Sequence, residues 1–116
     1  MSSPLLGVAI VEALLAAGVT EAVLSPGSRN APLSLALHAA ATAGLLRLHV
    51  RIDERSAAFT ALGLAKASGH VVAVVSTSGT AVGNLVPAAM EARAAGVTVL
   101  LMTADRPATA VGTGAN

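Results

Sequence analysis

Apolar positions in this chain fall into short runs, each closed by a polar loop, and the runs alternate between two periods. Leu5 to Val19 is apolar almost throughout, interrupted by Glu12. Ser3 suits the cap, Pro4 the first turn and Gly18 the position past the end, so a helix is predicted from Pro4 to about Ala17. Glu21–Ser25 reads as a short buried strand stopped by Pro26-Gly27. A second helix is predicted from roughly Pro32 to Ala43, with Asn30 as its cap. Leu46–Ile52 sets Leu46, Leu48, Val50 and Ile52 against Arg47, His49 and Arg51. That period of two predicts a strand with one wetter face. A helix follows from Glu54 or Arg55 to about Ser68, ended by Gly69. Val71–Ser76 is a continuous apolar run, as in a strand covered on both faces. A helix over Thr80–Ala95, ended by Gly96, and a buried strand over Val97–Thr103 complete the pattern. The alternation of helix and strand predicts an α/β fold, a parallel sheet flanked by helices with right-handed crossovers.

Four polar loops each follow a predicted strand: Pro-Gly-Ser-Arg-Asn from Pro26, Asp53-Glu54, Thr-Ser-Gly-Thr from Thr77, and Thr-Ala-Asp-Arg-Pro from Thr103. In an open parallel sheet all four emerge on one edge, where such folds bind ligands. The chain carries seven basic and six acidic residues. Seven of these (Arg29, Arg51, Asp53, Glu54, Arg55, Asp105 and Arg106) sit at or just beyond predicted strand ends. Concentrating scarce charge on one edge points to a site rather than to a solvated helix face.

Composition narrows the class. The 116 residues are 54% hydrophobic and 11% charged, with a mean hydropathy of +0.76. That is little charge for the surface of one small domain. It predicts association through an apolar face and a place within a longer chain; the small, turn-rich run Ala108–Asn116 adds to the reading of an incomplete domain. Leu5–Val19 is too short to span a bilayer, carries Glu12, and has no preceding positive charge as a signal peptide would. There is no Cys, which fits a cytoplasmic protein and excludes disulfides and thiolate metal sites. A net charge of +1 and a single aromatic, Phe59, give no basis for nucleic-acid binding.

Each candidate has a bland counterpart. A carboxylate at a helix start, such as Glu54, is stabilised by free N–H groups and the helix dipole. The adjacent Asp53 makes two carboxylates where one cap suffices, and the small apolar segment Ser56–Ala67 predicts a buried helix that desolvates Glu54 and readies it to share a proton. The loop from Thr77 permits close backbone approach, yet it is neither a Walker loop nor GxGxxG, and Ser78 or Thr80 can simply cap a helix. Arg29 can grip a carboxylate in bidentate fashion, or sit in a surface turn. Arg106 can do the same, or pair with Asp105. His38, His49 and His70 have no ligand spacing, Lys66 and Arg93 read as solvated, Met1 as the initiator, and Met90 and Met102 as core.

Ser-Pro-Gly-Ser-Arg-Asn-Ala-Pro-Leu from Ser25, the segment from His49 through Asp53-Glu54-Arg55 to Gly69, the segment from Thr77 through Asn84 to Ala92, and Leu-Met-Thr-Ala-Asp-Arg-Pro from Leu101 occur in an order that resembles the N-terminal pyrimidine-binding domain of thiamine-diphosphate enzymes, in particular the menaquinone-pathway branch. The resemblance covers essentially the whole chain. It implies a transferase that decarboxylates 2-oxoglutarate and adds the succinyl carbanion to isochorismate. Glu54 would hydrogen-bond N1′ of the cofactor's aminopyrimidine as the catalytic carboxylate. Pro26, Thr77, Gly79 and Asn84 would line the cofactor. Ser28, Arg29, Arg106 and Asn116 would face the substrates. The family's Mg²⁺ (or Mn²⁺) and diphosphate are held by a Gly-Asp-Gly…Asn segment that is absent from this sequence, and the family forms homodimers or homotetramers. The chain is accordingly expected to be an N-terminal piece, inactive alone. Two other readings stay open: the small subunit of a split thiamine-diphosphate 2-oxoacid decarboxylase, and a non-catalytic α/β anion-binding module.

Overall fold

A computed structural model describes residues 2–114; the expectations for Met1 and Asn116 lie outside them. The chain runs α1 (Ser3–Ala16), β1 (Glu21–Leu24), α2 (Ala31–Thr42), β2 (Arg47–Val50), α3 (Glu54–Ser68), β3 (Val72–Ser76), α4 (Thr80–Gly83), α5 (Val86–Ala95) and β4 (Val99–Thr103), followed by a 3₁₀ turn over Ala108–Ala110. The four strands form one sheet in the order β2-β1-β3-β4, and every pairing is parallel. The predicted α/β architecture is borne out.

Side-chain alternation in the central strands builds two cores. Ala22, Leu24, Ala73 and Val75 face α1 and α2, where they meet Val11, Leu14, Leu37 and Ala40. Val23, Val72 and Val74 face the other way, onto Ala57, Ala58, Ala61 and Ala65 of α3 and onto Leu85 and Ala88. β3 is buried at all five positions, as its apolar run predicts. Each fully buried Leu or Val contributes about 1.5–3 kcal/mol to this packing.

The edge strands differ from expectation. β4 has no fully buried residue, and Leu100 and Leu101 are more than a third exposed. Its sequence is as apolar as that of β3, but it pairs on one side only among the described residues. In β2 the apolar alternation holds for buried Leu46 and partly buried Leu48 and then fails, with Val50 exposed and Ile52 at 83% exposure. β2 is also an edge strand, so its far end has little to pack against.

The predicted helix Thr80–Ala95 is two helices. Pro87 has no N–H to donate to Gly83 O, and its ring crowds that carbonyl, so a continuous helix is broken there. Asn84 closes α4 and Pro87 occupies the first turn of α5. Ser3 lies inside α1 rather than capping it; Ser2 holds that position and makes no side-chain cap bond. Met90 is 68% exposed on α5, not in the core, whereas Met102 packs against the α1–α2 side.

α1 and α2 touch closely because Gly7 carries no side chain. A Cβ there would stand 2.6 Å from the Pro32 carbonyl oxygen. Alanine in a helix is ordinarily worth about 1 kcal/mol over glycine. Gly7→Ala is expected to reverse that sign, since overpacking a rigid backbone contact costs about 1–3 kcal/mol. A lowered melting temperature of the full-length protein checks it; a raised one would show that the α1–α2 gap yields freely.

Candidate functional site

The parallel sheet brings the carboxyl ends of all four strands to one edge, and backbone bonds tie the outgoing loops together there. Ser25 N–H donates to Val75 O at 2.9 Å, Arg51 N–H to Leu24 O at 2.9 Å, and Ala104 N–H to Ser76 O at 3.1 Å. The Ser25 hydroxyl donates to Arg51 O at 2.8 Å. Gly27 lies so close to Thr77 that a Cβ would meet the Thr77 Cβ at 2.6 Å. The β1 loop is thus fastened to both neighbours. β1 and β3 are adjacent, but β1 leads into α2 on one face of the sheet and β3 leads towards α5 on the other. Such a divergence opens the crevice in which α/β folds bind ligands.

Glu54 opens α3 directly beyond β2 and is partly exposed rather than sequestered as predicted; the burial of α3 begins at Ala57. Asp53 is its N-cap, accepting the Ser56 N–H at 2.8 Å. The Ser56 N–H holds the Asp53 carboxyl below its ordinary value of 3.8, helped by the Ser56 hydroxyl and the Arg55 charge. A depressed carboxyl stabilises the fold while ionised. Its contribution is therefore complete above about pH 4 and is lost as pH falls through the folded value. Asp53→Ala is expected to remove this part of the acid limb of the stability curve, and an NMR titration placing Asp53 at or above 3.8 would contradict the assignment. The two adjacent carboxylates thus divide: Asp53 is spent on the cap, and Glu54 is a partly exposed residue of the first turn.

Gly79 has φ 76° and ψ −139°, a left-handed conformation that favours glycine. Arg106 reaches over it, with a terminal nitrogen 3.6 Å from where a Gly79 Cβ would be. Arg106 also donates its backbone N–H to Asp105 Oδ1 at 2.7 Å, and its guanidinium lies 3.8 Å from the same oxygen. The exposed Asp105 thus leaves the guanidinium over the loop from Thr77. Neither Ser78 nor Thr80 caps α4, contrary to expectation; Gly79 holds that position, with no side-chain cap bond. Thr77 is half-buried against Gly27, and Asn84 is exposed, its side chain donating to Thr80 O at 3.4 Å.

Pro26 and Ser28 are exposed at the tip of the β1 loop. Arg29 is half-buried and lines a groove of about 500 Å³ between α1, α2 and the end of β4, with Asp105 at the same groove. Asp105 links the two regions, since it lines the Arg29 groove and lies 3.8 Å from the Arg106 guanidinium. Asn30, read from sequence as a helix cap, makes no side-chain bond to α2's N–H groups and turns back into its own loop. A larger cleft of about 810 Å³, lined by Glu21, Arg47 and His70, lies at the opposite, amino end of the sheet. Near that end Glu21 Oε1 stands 3.3 Å from Arg47 and 3.4 Å from His49 Nε2, a cluster created by strand register and invisible to spacing. We place the site at the carboxyl edge because the loops converge there.

The sequence profile of the thiamine pyrophosphate enzyme N-terminal TPP binding domain matches residues 6–116. The chain belongs to the TPP-binding enzyme family. Among curated proteins, this TPP binding domain is 63% identical over 107 residues to a 2-succinyl-5-enolpyruvyl-6-hydroxy-3-cyclohexene-1-carboxylate synthase of Nocardioides sp., covering 92% of this chain and 20% of that protein. It is 59% identical over 108 residues to the synthase of that name from Mycobacteroides abscessus, covering 93% and 20% respectively. Against that of Renibacterium salmoninarum it is 62% identical over 107 residues, covering 92% and 19%. The TPP binding domain thus spans about a fifth of the length of these relatives. Its edge carries a positive-φ glycine, a carboxylate at a helix start, and loops hydrogen-bonded to one another. Among the described residues no group of three or more His, Asp or Glu side chains could hold a metal ion, and no helix is long and apolar enough to cross a membrane.

Proposed function

We propose that this chain provides the aminopyrimidine half-site of a thiamine-diphosphate-dependent transferase that decarboxylates 2-oxoglutarate and adds the remaining succinyl unit to isochorismate, in menaquinone biosynthesis. The observation that carries the cofactor assignment is Glu54 in the first turn of α3, on the same sheet edge as the Gly79 loop. The names of relatives at 59–63% identity support the substrates.

Thiamine diphosphate, when bound, supplies the electron sink for decarboxylation of a 2-oxo acid. The chain's residues bind and orient. Glu54 shares a proton with N1′ of the aminopyrimidine, a role suited to a carboxylate that the cap has not consumed. Pro26, Thr77, Gly79 and Asn84 line the ring, Gly79 through a backbone turn that only glycine readily adopts. Arg29 and Arg106 receive carboxylates, which guanidinium groups hold in a planar, two-bonded grip. Two such groups match two substrates that both carry carboxylates. Ser28 adds a hydroxyl beside Arg29, and Asn116 is likewise assigned to substrate binding. Mg²⁺ and the diphosphate are held by parts of the enzyme other than this domain, in a cytoplasmic homodimer or homotetramer.

The test is an assay of the full-length protein with 2-oxoglutarate and isochorismate, with and without added thiamine diphosphate. Loss of isochorismate that requires both other components is the expected result. Isochorismate left untouched, or consumed without the cofactor, would overturn the proposal.

A further inference from the structure

The buried carboxamide of Asn30 is a polar group that the proposed chemistry does not use. Asn30 is 2% exposed, and both ends of its amide are engaged. Oδ1 accepts the Gly27 N–H at 2.8 Å and the Ser34 hydroxyl at 3.2 Å, while Nδ2 donates to Ser25 O at 2.9 Å. One side chain thereby closes the loop from residue 25 to residue 30 into a ring, with Ser28 and Arg29 carried on its outer arc. Both anchor points of the ring reach further. Ser25 is hydrogen-bonded to Arg51 O, three residues ahead of Glu54, and Gly27 is pressed against Thr77.

We infer that Asn30 is a positioning residue, whose carboxamide fixes the Arg29 loop for carboxylate binding and holds it in register with the segment that carries Glu54. The inference rests on the reading of Arg29 as a substrate-binding arginine. The need for an amide follows from its chemistry. The loop asks for one acceptor and one donor from the same planar group, and Asn supplies both. Asp has the same shape but presents only acceptors when ionised, so its second oxygen would oppose the Ser25 carbonyl. Asn30→Asp therefore breaks one side of the ring without opening a cavity.

The test compares steady-state kinetics of the full-length wild type, Asn30→Asp and Ser34→Ala, with thiamine diphosphate affinity measured by calorimetry. Asn30→Asp is expected to raise KM for 2-oxoglutarate at least about tenfold, with a smaller change in kcat and in cofactor affinity, as loss of a binding contact rather than of chemistry requires. Ser34→Ala removes a hydroxyl whose one proton is shared between Asn30 O at 2.9 Å and Asn30 Oδ1 at 3.2 Å, and places a good helix former in α2; KM is expected to rise about two- to fourfold, the effect of one neutral hydrogen bond. A purely structural role would lower active enzyme without moving KM. An unchanged KM in both variants, in a wild type that saturates with 2-oxoglutarate, overturns the inference alone. A wild type that does not saturate with 2-oxoglutarate overturns the substrate reading and this inference with it. Should Asn30→Asp not fold, an unchanged KM in Ser34→Ala still decides against the inference.

Discussion

Glu54→Gln in the full-length protein is expected to lower turnover by about 10²- to 10⁴-fold, the range of a positioned general acid–base group, with the fold intact. The substitution keeps the shape and the hydrogen-bonding reach of the side chain and removes only its capacity to share a proton. The structural cost is small because Glu54 is not the cap: Asp53 accepts the Ser56 N–H, and that bond survives. What α3 loses is one favourable charge in its first turn, about 0.3–1 kcal/mol at an exposed site. The paired measurements are turnover and thermal melting. Wild-type turnover in Glu54→Gln would remove this residue from the chemistry, and a collapsed melting curve would mean that the helix needs the charge.

Leu85→Ala is the substitution with the largest expected effect on stability. Leu85 sits between α4 and α5, where the predicted single helix breaks, and is 1% exposed among Val23, Val72, Val74 and the alanines of α3. Truncating a buried leucine costs about 2–5 kcal/mol, the spread reflecting how far the cavity collapses. Because this side chain anchors the short α4, the loss should show first in the loop from Thr77. Amides of β3 and α5 are expected to exchange at least about 30-fold faster, the equivalent of 2 kcal/mol in local opening, with thiamine diphosphate affinity reduced in parallel. Exchange within about threefold of wild type would mean that the α4–α5 junction is held by its backbone rather than by this contact.

The contrast between β3 and β4 shows where local pattern stops informing. Val71–Ser76 and Val97–Thr103 read alike as apolar runs, yet one is central and the other an edge. Burial of a strand depends on how many neighbours it has, and strand order is a non-local property. The helix break was legible in principle from Pro87, which sits where a continuous helix cannot tolerate it. Asn30 was legible only as a cap, because a residue that favours helix starts also favours closing the loop before them. The acidic pair stood out in the sequence because two carboxylates met where one would serve; which of them is the cap emerged only from the Ser56 hydrogen bond. The Glu21–Arg47–His49 cluster needed the β1–β2 register, which no spacing along the chain encodes.

The face of α3 that meets the sheet is built from Ala57, Ala58, Ala61 and Ala65, with Leu62 alongside. Side chains this short set the distance between the helix and the strands beneath it, as a spacer sets the height of a beam. Glu54 stands at the end of that beam. Any larger residue under the helix would lift its first turn and carry the carboxylate away from the edge, with no change in the carboxylate itself. For anyone redesigning this edge to accept a different ring, the alanines are the adjustment screws, and they lie about one to three turns from the residue whose position they set.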